Sequence, residues 1–397
     1  MSDIKKNNTS RRLIAIDAFR AIIMILMIFV NDLWTLTDIP AWLGHVSAET
    51  DGMGLADFVF PAFLFIVGLS VPFAIANRKS KGDSDLKIFY HVIMRTLALL
   101  VMGVFLVNSE TYPQEEVILS KSIWMILLVI AFFLIWLNYP KPETKYVGIL
   151  KIIGVNMLII LGFIFQTEDS LVTGMELHWW GILGLIGWAY FTASGIYLFS
   201  KGNIKVQYIA LFCLLLFSCA SFLGWLSPIE GIKDYIWLVG EGSLATFSMA
   251  GVIAALVYKN LGTHNQKFWI LLIVIALLFI VFGLLTRPIW GISKIKATPS
   301  WTTICTGLSI ITFLIIVYIT DVLQFRKWYS YIKPAGTSTL TAYLIPYIHY
   351  AILGLISIRL PEILRTGDIG LIKSFLYALF IVGITGYLEH KKIHLKI

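Results

Sequence analysis

Charge is scarce in this sequence. Only 14% of its 397 residues are Asp, Glu, Lys or Arg, while 58% are hydrophobic, and a soluble domain carries roughly 25% charged residues. So little polar surface excludes a soluble fold, and with it the soluble nucleotide-binding domains. Cysteine is scarce too: Cys213, Cys219 and Cys305 all fall in apolar segments, which reads as packing and excludes a disulfide framework. There is no H-E-x-x-H, no Cys/His metal spacing and no G-x-x-x-x-G-K-[ST], so zincin, structural-zinc and P-loop chemistry drop out and no metal is expected. A G-x-S-x-G elbow is also missing, which removes the serine hydrolases built on it. No internal repeat or low-complexity segment stands out.

What the chain does have is long apolar runs and aromatics, with 26 Phe, 17 Tyr and 13 Trp, suited to lipid-facing surface and interfacial belts. A spanning helix needs about 20 mostly apolar residues. Runs of that kind lie near 13–36, 54–77, 88–108, 119–138, 146–165, 178–200, 205–225, 240–258, 268–286, 300–320, 337–357 and 369–388. The expected fold is an all-α polytopic membrane protein with about 12 transmembrane helices, forming one transmembrane domain over residues 1–397. With the N-terminus inside and the sides alternating, the inside segments hold 20 of the 31 Lys and Arg, the outside segments 8, and the spans 3. That bias puts both termini in the cytoplasm. The net charge of +8 is therefore a topology signal and not a nucleic-acid surface. The start, MSDIKKNNTSRRLIAID, looks like a leader, but Asp17 and Arg20 interrupt its apolar run and no A-x-A site follows. An uncleaved first span is expected. On this map the His45 stretch, Glu176–His178, Glu230–Glu241 and Lys294–Trp301 lie outside.

Ionisable groups inside spans are costly and point to function. In span 1, Asp17, Arg20, Met24, Met27, Asn31 and Trp34 repeat at helical spacing and form one stripe. Its polar ends are roughly 21 Å apart. The stripe reads either as the lining of a cavity or as an Asp17–Arg20 pair at one interface with Asn31 capping the other end. Span 2 opens at Asp57, whose carboxylate faces a helix N-terminus, and His45 precedes it on a glycine-containing loop. Asn31, Asp32, Asp57 and the outer loops converge at one membrane depth, and that company raises a loop histidine above its usual insignificance. His178 and Trp179 open span 6 as an interfacial belt would. Glu241 opens span 8 as a cap or as a ligand for a sugar amine or hydroxyl. Lys294 and Lys296 stand outside, against the charge trend, as candidates for holding a polar or anionic group. His349 and Arg95 read as satisfied interior or interfacial groups.

RRLIAIDAFRAIIMILMIFVND resembles the R-L-x-S-x-D-x-x-R-G…F-V-N opening of the heparan-α-glucosaminide N-acetyltransferase family of transmembrane acyltransferases. HVSAETDGMGLADFVFPAFLFIVGLS resembles that family's H-x-x-W-x-G…x-x-D-x-V-F-P-x-F-x-F-x-x-G-x-S. GEGSLATFSMAGVIAALVYK, SKIKATPSW and AGTSTLTAY echo its E-G-x-L-x-T, N-K-x-L-W-T-x-S and G-x-N-x-L-x-x-Y segments, with Ser338 where Asn is usual. There are departures as well. Ala21 replaces a glycine, Gly184 and Leu185 stand where Gln-Arg is usual, and about 40 extra residues, spans 4 and 5, precede that segment. The large outer N-terminal domain of animal members is not seen.

The resemblance implies that acetyl passes from cytosolic acetyl-CoA to an amino sugar or sugar hydroxyl on the far side. His45 would be the base or acetyl carrier, Asn31 an oxyanion donor and Asp57 the holder of the imidazole. Asp17, Arg20, Met24, Met27 and Arg78 would meet the donor. Asp32, Glu241, His178, Lys294 and Trp301 would meet the acceptor. The implied setting is an integral multi-pass protein of a bacterial inner (plasma) membrane, in contact with lipid, possible homodimerisation included. The rival reading is a secondary transporter of a sugar or organic anion. Transporters often show two related halves with broken helices, and no such symmetry is visible.

Overall fold

The computed structural model describes residues 14–113, 118–141, 144–165, 174–228, 231, 241–358 and 360–397. The leader-like start through residue 13 and most of the Glu230–Glu241 stretch lie outside the described residues. Thirteen α-helices and no strand form among those described: α1 Ile14–Asp32, α2 Leu55–Ser80, α3 Asp85–Asn108, α4 Lys121–Trp136, α5 Lys145–Phe163, α6 Ile182–Phe199, α7 Ile204–Phe222, α8 Ser243–Leu261, α9 Gln266–Trp290, α10 Pro299–Val317, α11 Tyr329–Thr337, α12 Thr339–Leu355 and α13 Gly367–His390. Ten of these elements are long and apolar enough to cross a membrane, and α4 and α12 are shorter apolar helices. Each of the twelve expected spans falls on one of these twelve, so the chain is a polytopic membrane protein. The nine-residue α11 is too short to be seen as an apolar run.

The caps are written locally. Ser120, Thr144, Asn203, Asn265 and Thr298 each accept a backbone N–H from the first turn of the helix they precede, which satisfies donors that no carbonyl can reach. Span 8 begins later than its apolar run suggests. Gly242 turns the chain in the left-handed region, so Glu241 stays outside α8.

The chain divides into two compact units. The first comprises residues 1–23, 40–97 and 186–331. In it α2 packs on α8, α10 packs on α2, α8 and α9, and α7 lies against α8. Helices α2, α8 and α10 are buried over most of their surface, whereas α7 and α9 expose apolar side chains such as Phe212 and Leu278, as lipid-facing helices do. Phe19, Phe65 and Phe313 meet with ring centroids 6.3–6.5 Å apart. The Ser248 hydroxyl donates to the Leu64 carbonyl at 3.0 Å, tying α8 to α2.

The second unit comprises residues 24–39, 98–185 and 332–397. Its α4–α5 hairpin, the pair of spans extra to the resemblance, packs through α4 on α12, which also meets α13. Trp124 anchors it, fully buried and donating its indole N–H to the Leu161 carbonyl at 3.1 Å. Gly184, at one of the departures from the resemblance, is a point of close approach: a Cβ on Gly103 would fall 2.4 Å from the Gly184 nitrogen. The C-terminal residues lie along the end of α4, with the Asn138 backbone N–H donating to the His394 carbonyl at 2.9 Å and the Lys396 N–H to the Trp136 carbonyl at 2.8 Å.

Candidate functional site

In the first unit, the residues preceding α2 build a fixed loop around one carboxylate. Gly54 caps α2, and Asp57, three residues on, reaches back to its backbone N–H at 3.0 Å, the half of a capping box that a glycine cap allows. The same carboxylate oxygen accepts the Val46 N–H at 3.0 Å. The other oxygen holds His45 Nδ1 at 2.7 Å. Gly54 cannot carry a side chain, because a Cβ there would lie 2.0 Å from the Gly44 carbonyl oxygen. The Asp57 side chain is 1% exposed and that of His45 50%, so a buried anion holds an open ring. With the Nδ1 proton given to Asp57, Nε2 carries the free lone pair.

A second loop, between α9 and α10, brings a cation to that ring. Lys294 Nζ lies 3.2 Å from His45 Nδ1 and 3.5 Å from Nε2. Burial lowers the Lys294 pKa below its ordinary value, and the Asp57 charge opposes that shift. Thr298 caps α10 with Pro299 at its first turn. This sets Trp301, 1% exposed, where its indole donates to the Asp57 carbonyl at 3.1 Å. Trp301 is thus buried beneath the site, not open to an acceptor. At the start of α8, Ser243 donates to the Ala297 carbonyl at 2.9 Å, and half-buried Glu241 lies two residues before it.

The two loops are tied by groups that sequence reasoning missed. Asp51 accepts the Ile292 N–H at 2.7 Å and the Arg287 Nε–H at 2.9 Å, and these contacts lower its pKa. Gly52 N–H donates to the Ile292 carbonyl at 2.9 Å, and Lys296 pairs with Glu49 at 3.1 Å. The one available signal was that Lys294 and Lys296 stand outside, against the charge trend.

The other expected residues are placed as follows. Asp17 and Arg20 pair at 2.9 Å, and Arg20 also donates to the Ser70 hydroxyl at 2.6 Å. The contact is the Asp17–Arg20 pair that one of the two readings of the stripe expected. Met24 and Met27 are 1% and 3% exposed, so they pack and do not line an open passage. Arg78 pairs with Asp83 at 3.1 Å, beside Lys87–Asp83 at 2.6 Å and Lys79–Asp85 at 3.0 Å. Lys87 and Arg78 together lower the Asp83 pKa. In the second unit, Asn31 is exposed on the last turn of α1. Its neighbour Asp32 is buried and accepts from Lys373 at 2.7 Å, Ser374 at 2.5 Å and Tyr350. His178 pairs with Glu176 at 3.0 Å, a local contact of that unit. Of the expected site residues, the structure brings together His45, Asp57, Lys294 and Trp301.

Comparison with known proteins bears on this group. A family model described as a domain of unknown function (DUF5009) matches residues 12–224, a stretch that holds His45 and Asp57 and ends before Lys294. Heparan-alpha-glucosaminide N-acetyltransferase of Mus musculus is 32% identical over 109 residues, 26% of this chain and 15% of that protein. The Homo sapiens protein of the same name is 33% identical over 103 residues, 25% of this chain and 14% of that one. The match thus spans about a seventh of the length of these relatives. With more than half of its length under one family model, the chain belongs to the DUF5009 family, and over about a quarter of its length it is related to heparan-α-glucosaminide N-acetyltransferases.

Proposed function

We propose that this protein is a transmembrane acyltransferase that moves an acetyl group from acetyl-CoA to an amino sugar or sugar hydroxyl. The observation that carries the reading is the half-open His45 ring, held through Nδ1 by buried Asp57, with Nε2 beside the Lys294 ammonium. Transfer from a thioester to a neutral nucleophile needs a base that works near pH 7 and a positive group near the developing oxyanion. In this reading His45 Nε2 takes the proton of the acceptor amine or hydroxyl as its heteroatom attacks the thioester carbonyl. The tetrahedral oxyanion forms beside Lys294. Collapse breaks the C–S bond, and the CoA thiolate leaves with the proton from Nε2. Asp57 holds the ring and balances the imidazolium. The donor is proposed to come from the side of the basic 78–87 turn, where its phosphates compete with Asp83 and Asp85 for Arg78 and Lys79. The acceptor is proposed to meet His45 at the far end of α2.

The test is CoA release from acetyl-CoA by protein in liposomes, across a panel of amino sugars. The wild type should release CoA with at least one acceptor, and His45→Ala should not. If no acceptor supports release while the protein moves a sugar across the bilayer, it is a transporter and the proposal fails. Trapping acetyl on His45 with donor alone would turn the base into a covalent carrier at the same residue.

A further inference from the structure

Arg95 stands apart from every group used above. It lies inside α3, a membrane-spanning helix, and an arginine does not shed its charge there. Sequence reading makes it a satisfied interior or interfacial group, and the structure sets an aromatic ring beside it. Its Nε is buried with no hydrogen-bond partner, and its guanidinium stacks on the Tyr190 ring, 4.7 Å from the centroid. No carboxylate pairs with it among the described residues. A ring face offsets part of the cost of holding a cation in a span, and the half-buried guanidinium has no anion beside it among the described residues.

The direction of the side chain says what would pair it. Helices α3 and α6 run antiparallel, with Phe89 against Phe199 and Phe191 at 5.0 and 6.1 Å. Arg95 is ten residues into α3, roughly 15 Å from its first residue. That first residue follows the turn carrying Arg78, Lys79 and Lys81, and Lys87 lies two residues beyond it. Helix side chains lean toward the N-terminus, so Arg95 leans toward the basic end of α3. At roughly 36 Å, α3 exceeds a hydrocarbon core of about 30 Å, and an arginine that leans toward the basic end brings its charge nearer the headgroups by the length of its side chain. One turn from Tyr190 in the same direction is Ser194, 1% exposed, its hydroxyl buried with no partner. A guanidinium fork and a hydroxyl donor, both unspent and on facing helices of one unit, match a phosphate.

We infer that Arg95, with Ser194, forms a phosphate-binding site between α3 and α6, near the basic 78–87 turn. The phosphate is that of an anionic lipid or that of CoA. The CoA source rests on the acetyl-transfer reading and the lipid source does not. Full-length protein in detergent is offered phosphatidylglycerol, followed by native mass spectrometry, and separately CoA, followed by calorimetry, with thermal melting as the folding control. R95Q should lose about tenfold or more in retention of one probe, while R95K keeps part of it. Loss of phosphatidylglycerol alone assigns the lipid source, and loss of CoA alone assigns the donor. Should R95Q not fold, S194V takes its place, with a loss of several-fold expected. Wild-type retention of both probes by the folded variant overturns the site, as does a wild type that holds neither. Acetyl transfer is scored separately, so a wild type that holds phosphatidylglycerol but never releases CoA removes the acyltransferase reading and leaves this site standing.

Discussion

Asp57 in the first unit and Asp32 in the second are both buried carboxylates near a helix end, and they are used in opposite ways. Asp32 accepts from an ammonium, a seryl hydroxyl and a tyrosyl hydroxyl, and its ring of partners closes on itself. Asp57 accepts two backbone amides and an imidazole, and that imidazole is open on its other side. A carboxylate whose bonds end in buried and half-buried side chains holds a fold together. One that ends in an exposed ring prepares that ring for chemistry. The lesson is to follow a buried charge through its partners until either solvent or packing is reached.

The largest effect should come from the open ring. His45→Ala should lower CoA release by about 10²–10⁴-fold and leave the melting temperature near that of the wild type; a variant that loses stability instead would make His45 structural and erase the contrast. Next comes Lys373→Met, which strands Asp32 as an unpaired buried anion. It should cost about 3–5 kcal/mol of stability, read by denaturation in detergent, while the fraction that stays folded keeps its specific activity. A loss of activity without a loss of stability would place Asp32 among working residues after all.

Gly54→Ala is smaller and affects both properties. Its Cβ meets the Gly44 carbonyl, so the loop must shift, at about 1–3 kcal/mol, and His45 moves with it. Activity should fall by more than the stability change accounts for; equal effects would show that the 44–54 backbone does not set the ring position. The mildest effect is a pH limb. Burial favours neutral Lys294, so its charge is lost as pH rises through a value below the ordinary 10.5. CoA release should fall along that limb, and in Lys294→Met the limb should vanish and activity should be low throughout. An unchanged profile in the variant would remove the ammonium from the reaction.

The fold was legible because a span is a one-dimensional object: about 20 apolar residues are visible without knowing what they touch. Its edges were less so, since Gly242 ends a run through backbone geometry and not polarity. His45 and Asp57 could be read because both lie on one short stretch whose spacing reflects a helix cap. Lys294 could be read because its charge opposes the loop trend. Asp51, Arg287 and Glu49 could not, because surface charges find partners only once distant loops meet. Met24 and Met27 share a stripe with polar residues, yet the stripe records only direction around an axis, and packing decides whether a direction faces space or neighbours. Arg95 reads from the sequence as a satisfied interior or interfacial group, and only the fold shows that its neighbour is a ring.

The cation beside the imidazole arrives on a segment some 250 positions downstream, beyond the stretch that defines the family. A relative that retained only the earlier part of this inheritance would keep the histidine and its carboxylate but none of the positive charge opposite them. Divergence between such cousins should then lie in which reagents they accept, with the proton-handling pair held in common.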